Sequence, residues 1–301
     1  FEKMKIHSEE GYNLINENLT GVESDEFLEV AKVMALYHHE KWNGTGYPNQ
    51  VKGTDIPLCA RIMAAADVLD ALLSKRQYKD AMPMEKAMEI FERDYADKYT
   101  VVSAEKYNDF PVMNTHIIIN DSSFVTTEDK RGNYPKGIFL DIFPIDYTPA
   151  DEKQRSKHLR RAWFLSKILI MKHIPFPHLP FKGFKAKLAH CVTAAIWLFL
   201  NVFCISHKFL YNLCLKECTK YNHTDTGVYA YCCGQVLGGS VFYKDKTYPL
   251  RKEKFEDTVM YFPNNLEETL TALYGDYMQI PPPEKRINHC PDILIFPDEN
   301  K

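Results

Sequence analysis

Along the first third of the chain, apolar residues recur at three- and four-residue steps, whereas beyond about Asp97 they bunch into short β-branched and aromatic runs. From Asp25 onward, Phe27, Val30, Ala31 and Met34 mark one face of a helix that Ser24 and Asp25 can cap, and one further turn carries that face to His38. Ile56 to Ala81 predicts a second helix with Pro57 in its opening turn, and Ala81 to Tyr99 predicts another with Pro83 in its first turn. The runs HIIIN, SFVTT and GIFLDIF then predict strands, followed by long helices and more short strands. The change of texture near Ala81 to Lys98 divides the chain into a helical module, residues 1–92, and an α+β module, residues 93–301.

Composition adds limits. A chain of 301 residues is long enough for two domains with separate cores, and 45% apolar with 26% charged residues is an ordinary globular mixture. A net charge of −3 supplies no polycation, which argues against nucleic acid as a partner. Eight cysteines follow no compact secreted framework, so free thiols in a reducing, cytoplasmic compartment are expected. Cys214 and Cys218, with Cys232 and Cys233 downstream, are irregularly spaced for zinc and read as buried or partly buried thiols. Leu188 to His207 is nearly long enough to span a membrane, yet His190, Thr193, Asn201 and Ser206 favour a long buried or interfacial helix. Lys182, Lys185 and Lys187 would suit the anionic inner face of a membrane, a peripheral contact to set against the plainer reading of a solvated face.

Candidate chemistry begins with YHHEKWNGTGYP, Tyr37 to Pro48, which puts two adjacent histidines before a glycine-rich turn. On the following helix Ala60, Ala64, Asp67, Ala71 and Ser74 form a small-residue stripe, which turns Asp67 toward a closely packed neighbour. A buried carboxylate costs several kcal/mol, roughly, unless paired, protonated or bound to metal. Asp67 therefore reads as a ligand.

The blocks HSEEGYNLI, HHEKWNGTGYP, IPLCARIMAAADVLDAL and SKRQYKDA, in this order, resemble the HD-GYP family of metal-dependent phosphodiesterases that open cyclic di-GMP. The resemblance covers about Phe1 to Glu92. It implies His7, His38, His39 and Asp67 as metal ligands, Arg76 and Lys79 as contacts to substrate phosphate, and Gly46, Tyr47 and Pro48 as the shape of the nucleotide pocket. Imidazole and carboxylate ligands suit iron or manganese pairs that activate a bridging water. Arg76 and Lys79, one turn apart, can present cations to one phosphate. Ser8 stands where the family has proline, and Asn43 where it has aspartate. The family's His-Asp doublet would precede Phe1, which leaves about half a ligand shell and an expectation of weak metal binding and weak hydrolysis.

In the second module GIFLDIFPID places Phe139, Asp141 and Phe143 on one face of a strand and Ile138, Leu140 and Ile142 on the other. Both faces are apolar apart from Asp141, an odd place for an anion without a metal or cation. Farther on, Asn264 and Asn265 can cap a helix with Glu267 early in it. The phrases GIFLDIFPID, KFEDTVMYFP and LYGDYMQIPPPEKRINH resemble the LicD family, whose members transfer phosphocholine from CDP-choline to cell-surface glycans on a nucleotidyltransferase-like fold. This resemblance implies Asp141 as the carboxylate that holds Mg²⁺ and serves catalysis, with Asp276 and Arg286 on the substrate and Asp146 a weaker candidate. Tyr274 and Tyr277 could enclose a quaternary ammonium, although packing suffices to explain them. The family's run of alternating aspartates is missing from its usual position.

The fold class expected is thus α+β: an all-α, HD-like partial bundle followed by a LicD-like, nucleotidyltransferase-like α+β domain. By coverage the main functional expectation is phosphocholine transfer from a CDP-linked donor to a surface polysaccharide such as lipopolysaccharide or teichoic acid. Cyclic di-GMP hydrolysis by the first module is the alternative, and an inactive hybrid or gene fragment that acts at most as a binding module is the third.

Overall fold

The structure, a computed structural model, describes residues 2–18, 25–73, 82–177, 183–234, 240–255, 258–279 and 291–297. Ser24, Ser74, Arg76, Lys79, Lys182, Arg286 and Cys290 lie outside the described residues. Four helices come first: α1 (Glu2–Asn18), α2 (Asp25–Tyr37), α3 (Leu58–Leu73) and α4 (Met84–Asp94). Proline opens two of them as the sequence predicts. Arg61 N donates to Pro57 O at 3.1 Å, and Ala87 N to Pro83 O at 3.0 Å. The helix expected to run to Tyr99 stops at Asp94, because Tyr99 is already paired as a strand with Ile119.

The strands follow as β1 (Tyr99–Val102), β2 (Thr115–Ile119), β3 (Ser123–Val125), β4 (Phe139–Ile142) and β5 (Asp146–Tyr147). Three of them form an antiparallel sheet in the order β1-β2-β4, with Val101 opposite Ile117 and His116 opposite Asp141. Its two faces serve different cores, as period-two alternation requires. Tyr99, Val101, Ile117, Ile119, Leu140 and Ile142 pack on Ala65 and Leu69 of α3 and Phe91 of α4. On the other face Val102 and Ile118 join Ala104 and Phe110. Helices and sheet therefore share one apolar cluster across the junction drawn from sequence at residue 92, which falls inside α4.

The remainder comprises α5 (Glu152–His173), α6 (Phe184–Val202), α7 (His207–Cys218), β6 (Val228–Tyr231), β7 (Ser240–Tyr243), α8 (Lys244–Thr247), β8 (Arg251–Phe255), β9 (Thr258–Phe262), α9 (Leu266–Tyr274) and β10 (Ile293–Ile295). Strands β5, β6 and β7 make a second antiparallel sheet, and β10 pairs with β3. Asp151 caps α5 by accepting from Gln154 N at 2.9 Å. Asn265 caps α9 by accepting from Glu268 N at 3.1 Å, as its sequence predicts.

The long apolar segment differs from expectation. It ends at Val202, turns through Cys204 at φ +50° and resumes in α7 behind a Ser206 cap, with a bend of 114° between the helices. Among the described residues no single helix is long and apolar enough to cross a membrane. Among the described residues one side of α6 is covered, with Leu200 buried; Phe184, Leu188, Val192, Leu198, Phe199 and Val202 form an outward stripe, and Phe184 is 81% exposed.

Two histidines tie α5 to α7. His207 Nε2 donates to Ala104 O at 2.7 Å, so its Nδ1 is the acceptor for His173 Nε2–H at 2.9 Å. Burial, reinforced by His207, lowers the His173 pKa to about 4, with Asp109 opposing.

Two outcomes follow from this packing. Phe91→Ala should destabilise the chain by about 3–5 kcal/mol. In urea titrations followed by circular dichroism and by tyrosine fluorescence, helix and sheet signals should shift together, and separate transitions would show the shared core to be unimportant. The depressed pKa of His173 means that the unfolded chain binds more protons below its ordinary value, so this contribution is complete above about pH 6.5 and is lost as pH falls toward 4. Melting temperature should drop between about pH 7.5 and pH 5, and His173→Gln should flatten that slope.

Candidate metal centre

Helices α1 and α2 come close where Gly11 faces Ala35; a Cβ on Gly11 would stand 3.4 Å from the Ala35 Cβ. His7, one turn before Gly11, is thereby carried to the end of α2, where His38 and His39 begin the turn. The Nδ1 of His38 lies 2.9 Å from Ala35 O and 3.0 Å from Met34 O. Carbonyl oxygens only accept, so Nδ1 carries the proton and the Nε2 lone pair faces His7. His7 Nε2 is 3.4 Å from His38 Nε2 and 3.0 Å from His39 Nε2.

The three rings thus turn ligand nitrogens on one another, all within 4.8 Å. One N–H cannot serve two lone pairs well, whereas a divalent ion accepts all three, so the three-imidazole set fits a borderline metal such as iron or zinc, and the harder manganese less well. His39 supports the same reading. Burial, then the neighbouring His38, lowers its pKa to about 4, which keeps the ring in the neutral form that ligates metal.

Asp67, on α3, sits behind this cluster. Its Oδ2 is 3.9 Å from His39 Nδ1, and its side chain is 36% exposed, not enclosed against a neighbouring helix. The buried stripe of α3 is Ala60, Arg61, Ala65 and Leu69, one step round from the stripe read in the sequence. Asp67 therefore stands beside His39, beyond hydrogen-bond range, where its charge opposes the lowering of the His39 pKa.

The turn after the histidines is built by backbone geometry. Asn43 Oδ1 accepts from Thr45 N at 3.0 Å and from Thr45 Oγ1 at 2.7 Å, an acceptor role that asparagine fills as well as aspartate. A Cβ on Gly46 would come within 2.2 Å of Lys41 N and 2.4 Å of Glu40 Cα, so only glycine fits there. Tyr47 N then donates to His39 O at 3.3 Å, and the Tyr47 ring stacks on His39 with centroids 4.8 Å apart. Pro48 follows half-buried. Glu40, which the sequence reading passed over, is buried and accepts from Asn49 N at 2.6 Å, closing the turn; its position directly after the histidine pair was the available signal.

The second set of candidates is dispersed. Asp141 accepts from Asn114 Nδ2 at 2.7 Å, and His116 Nε2 stands 3.6 Å from the same oxygen. The partner of this strand carboxylate is thus an amide and a half-buried imidazole whose pKa burial lowers. Asp146 is buried and accepts from Asn222 Nδ2 at 2.7 Å, while burial raises its pKa. Asp276 is exposed in the turn after α9. Among the described residues the metal-type clusters are the three histidines and a set of three cysteines, and neither contains Asp141 or Asp276.

Comparison with known proteins bears on the N-terminal region. Residues 2–100 match a family model described as an HD domain, a match that ends inside β1. A cyclic di-GMP phosphodiesterase of Vibrio cholerae is 48% identical over 90 residues, which are 30% of this chain and 18% of that protein. A 3′3′-cGAMP-specific phosphodiesterase of the same organism is 48% identical over 77 residues, 26% of this chain and 14% of the relative. The cyclic di-GMP phosphodiesterase response regulator RpfG of Xanthomonas campestris is 46% identical over 85 residues, 28% of this chain and 21% of the relative. The chain thus spans between 14% and 21% of the length of these three relatives. Its N-terminal region, residues 2–100, matches an HD-domain model and is similar to cyclic dinucleotide phosphodiesterases.

Proposed function

We propose that the N-terminal region contributes a metal-dependent phosphodiesterase site of the HD-GYP kind, with a cyclic dinucleotide as substrate. The carrying observation is the convergence of the His7, His38 and His39 nitrogens. A bound divalent metal would activate water and offset charge on the scissile phosphodiester. The chain's own share of that work is positional. His38 is locked in one tautomer by the α2 carbonyls, His39 is kept neutral by burial and backed by Asp67, and Tyr47 covers one face of His39. On the sequence resemblance Arg76 and Lys79 would meet the substrate phosphate, while Gly46 and Pro48 hold the backbone that presents Tyr47.

The relatives support this reading in preference to phosphocholine transfer: they are similar to the chain as phosphodiesterases, and nothing in them speaks for CDP-choline or a glycan acceptor. The placement of Asp141 and Asp276 outside any cluster among the described residues points the same way. The expectation drawn from coverage of the chain accordingly gives way to its alternative.

The 301-residue chain should bind Mn²⁺ and slowly hydrolyse cyclic di-GMP or 3′3′-cGAMP. Replacing two ligands should cost at least about a hundredfold in metal affinity, because even the groups behind metal ligands are worth ~10–100-fold. His38→Ala combined with His39→Ala should therefore abolish both Mn²⁺ binding in calorimetry and turnover by chromatography of the products. Unchanged metal content in that variant, or turnover of CDP-choline alone, would sink the proposal. Gly46→Ala should act indirectly, with an added Cβ forcing the backbone apart at a cost of about 1–3 kcal/mol and weakening Mn²⁺ binding by about tenfold. Wild-type affinity in that variant would show that the turn does not position His39.

A further inference from the structure

The second cluster of metal-type side chains lies far along the sequence from the histidines and is used by no step above. Cys214 and Cys218 are four residues apart on α7 and so share one of its faces, while Cys233 comes from the turn that follows β6. The Sγ atoms of Cys218 and Cys233 are 3.3 Å apart, those of Cys214 and Cys233 are 3.9 Å apart, and all three lie within 4.8 Å. A tetrahedral Zn²⁺ with bonds of about 2.3 Å to sulfur needs ligand sulfurs about 3.8 Å from one another. The observed spacing brackets that edge. Cys214 and Cys218 are buried, Cys233 is half-buried, and none is in a disulfide.

The surroundings suit a charged product. Three thiolates and one divalent ion leave a single negative charge, and Lys167 of α5 stands beside Cys233 with its Nζ donating to Gly234 O at 3.2 Å. Lys167 is itself half-buried over the Trp163 ring, so its charge benefits from a nearby anion. The fourth cysteine of the region, Cys232, is aimed elsewhere, with its sulfur 3.7 Å from Ala230 O and 4.0 Å from His158 Nε2. Hydrogen bonds with Cys218 and Cys233, then burial, push the Cys214 thiol well above its ordinary range, and for Cys233 the hydrogen bond with Cys214 lowers its pKa but the hydrogen bond with Cys218 and burial together raise it.

We infer that Cys214, Cys218 and Cys233 form a binding site for a thiophilic divalent cation, Zn²⁺ by charge and geometry, which fastens α7 to the turn after β6. Each sulfur exchanges its proton for a bond to the ion, and the three protons leave to solvent while no electron changes hands. The reading is independent of the phosphodiesterase site. It also revises what the irregular cysteine spacing implies, since helix and turn bring together sulfurs that no linear motif would join.

The test uses the reduced 301-residue chain under anaerobic conditions, titrated with Co²⁺ and then with Zn²⁺. About one equivalent of Co²⁺ should give thiolate-to-metal charge-transfer absorption, a signature that histidine ligands do not produce, and Zn²⁺ should bleach it. Zn²⁺ should also slow the reaction of the three thiols with a thiol reagent in the unsubstituted chain, a readout that needs no variant. Cys233→Ser should abolish the band, whereas Cys191→Ser and Cys204→Ser, at exposed positions, should leave it intact. Absence of the band, its survival in Cys233→Ser, or recovery of a Cys218–Cys233 disulfide in place of bound metal would each overturn the site.

Discussion

The packing of α3 and α4 onto one face of the β1-β2-β4 sheet governs the rest of the molecule. A helix pair with an apolar side must cover it or pay in hydration, and here Ala65, Leu69 and Phe91 are covered by Tyr99, Val101, Ile117 and Ile119. Phe91 is 1% exposed, so burial of that ring alone contributes about 2–3 kcal/mol. The Tyr99 hydroxyl donates to Arg61 O, which stitches the first strand to α3. Arg61 in turn lies over Trp42 of the glycine-rich turn, so the sheet, α3 and the loop that presents Tyr47 to His39 form one chain of contacts.

That chain explains why the histidine cluster is ordered by short-range geometry. His38 and His39 are fixed by the end of α2 and by the turn, His7 arrives through the close approach at Gly11, and Asp67 is delivered by the helix whose other side is anchored to the sheet. These side chains rest on three separate backbone supports, α1, the end of α2 with its turn, and α3, and the supports are all local or packed. Moving one by the width of a methyl group would open the cluster.

Much of this was legible in the sequence. The proline-opened helices, the Asn265 cap and the alternation of the strand around Asp141 all rest on local rules, and the structure follows them, while it brings the histidine pair together with His7 as three rings that could hold a metal. Three things were not legible. The shared core across residue 92 depends on contacts between α3 and strands some fifty residues away, which no periodicity encodes. The surroundings of Asp67 turned on a rotation of α3 by one position, a shift that a small-residue stripe cannot resolve when alanines occur on several faces. The cysteine cluster needed α7 and the turn after β6 to meet, so its irregular spacing in sequence concealed a regular arrangement in space.

The outward stripe of α6 has a consequence for handling the chain. Among the described residues Phe184, Leu188, Val192, Leu198, Phe199 and Val202 stand exposed as one apolar ribbon, and the chain's net charge of −3 offers little mutual repulsion between molecules. Sulfate and other strongly hydrated salts raise the free energy of such a surface, so colloidal behaviour should be governed by this ribbon, with precipitation on salting out well before the fold itself is disturbed.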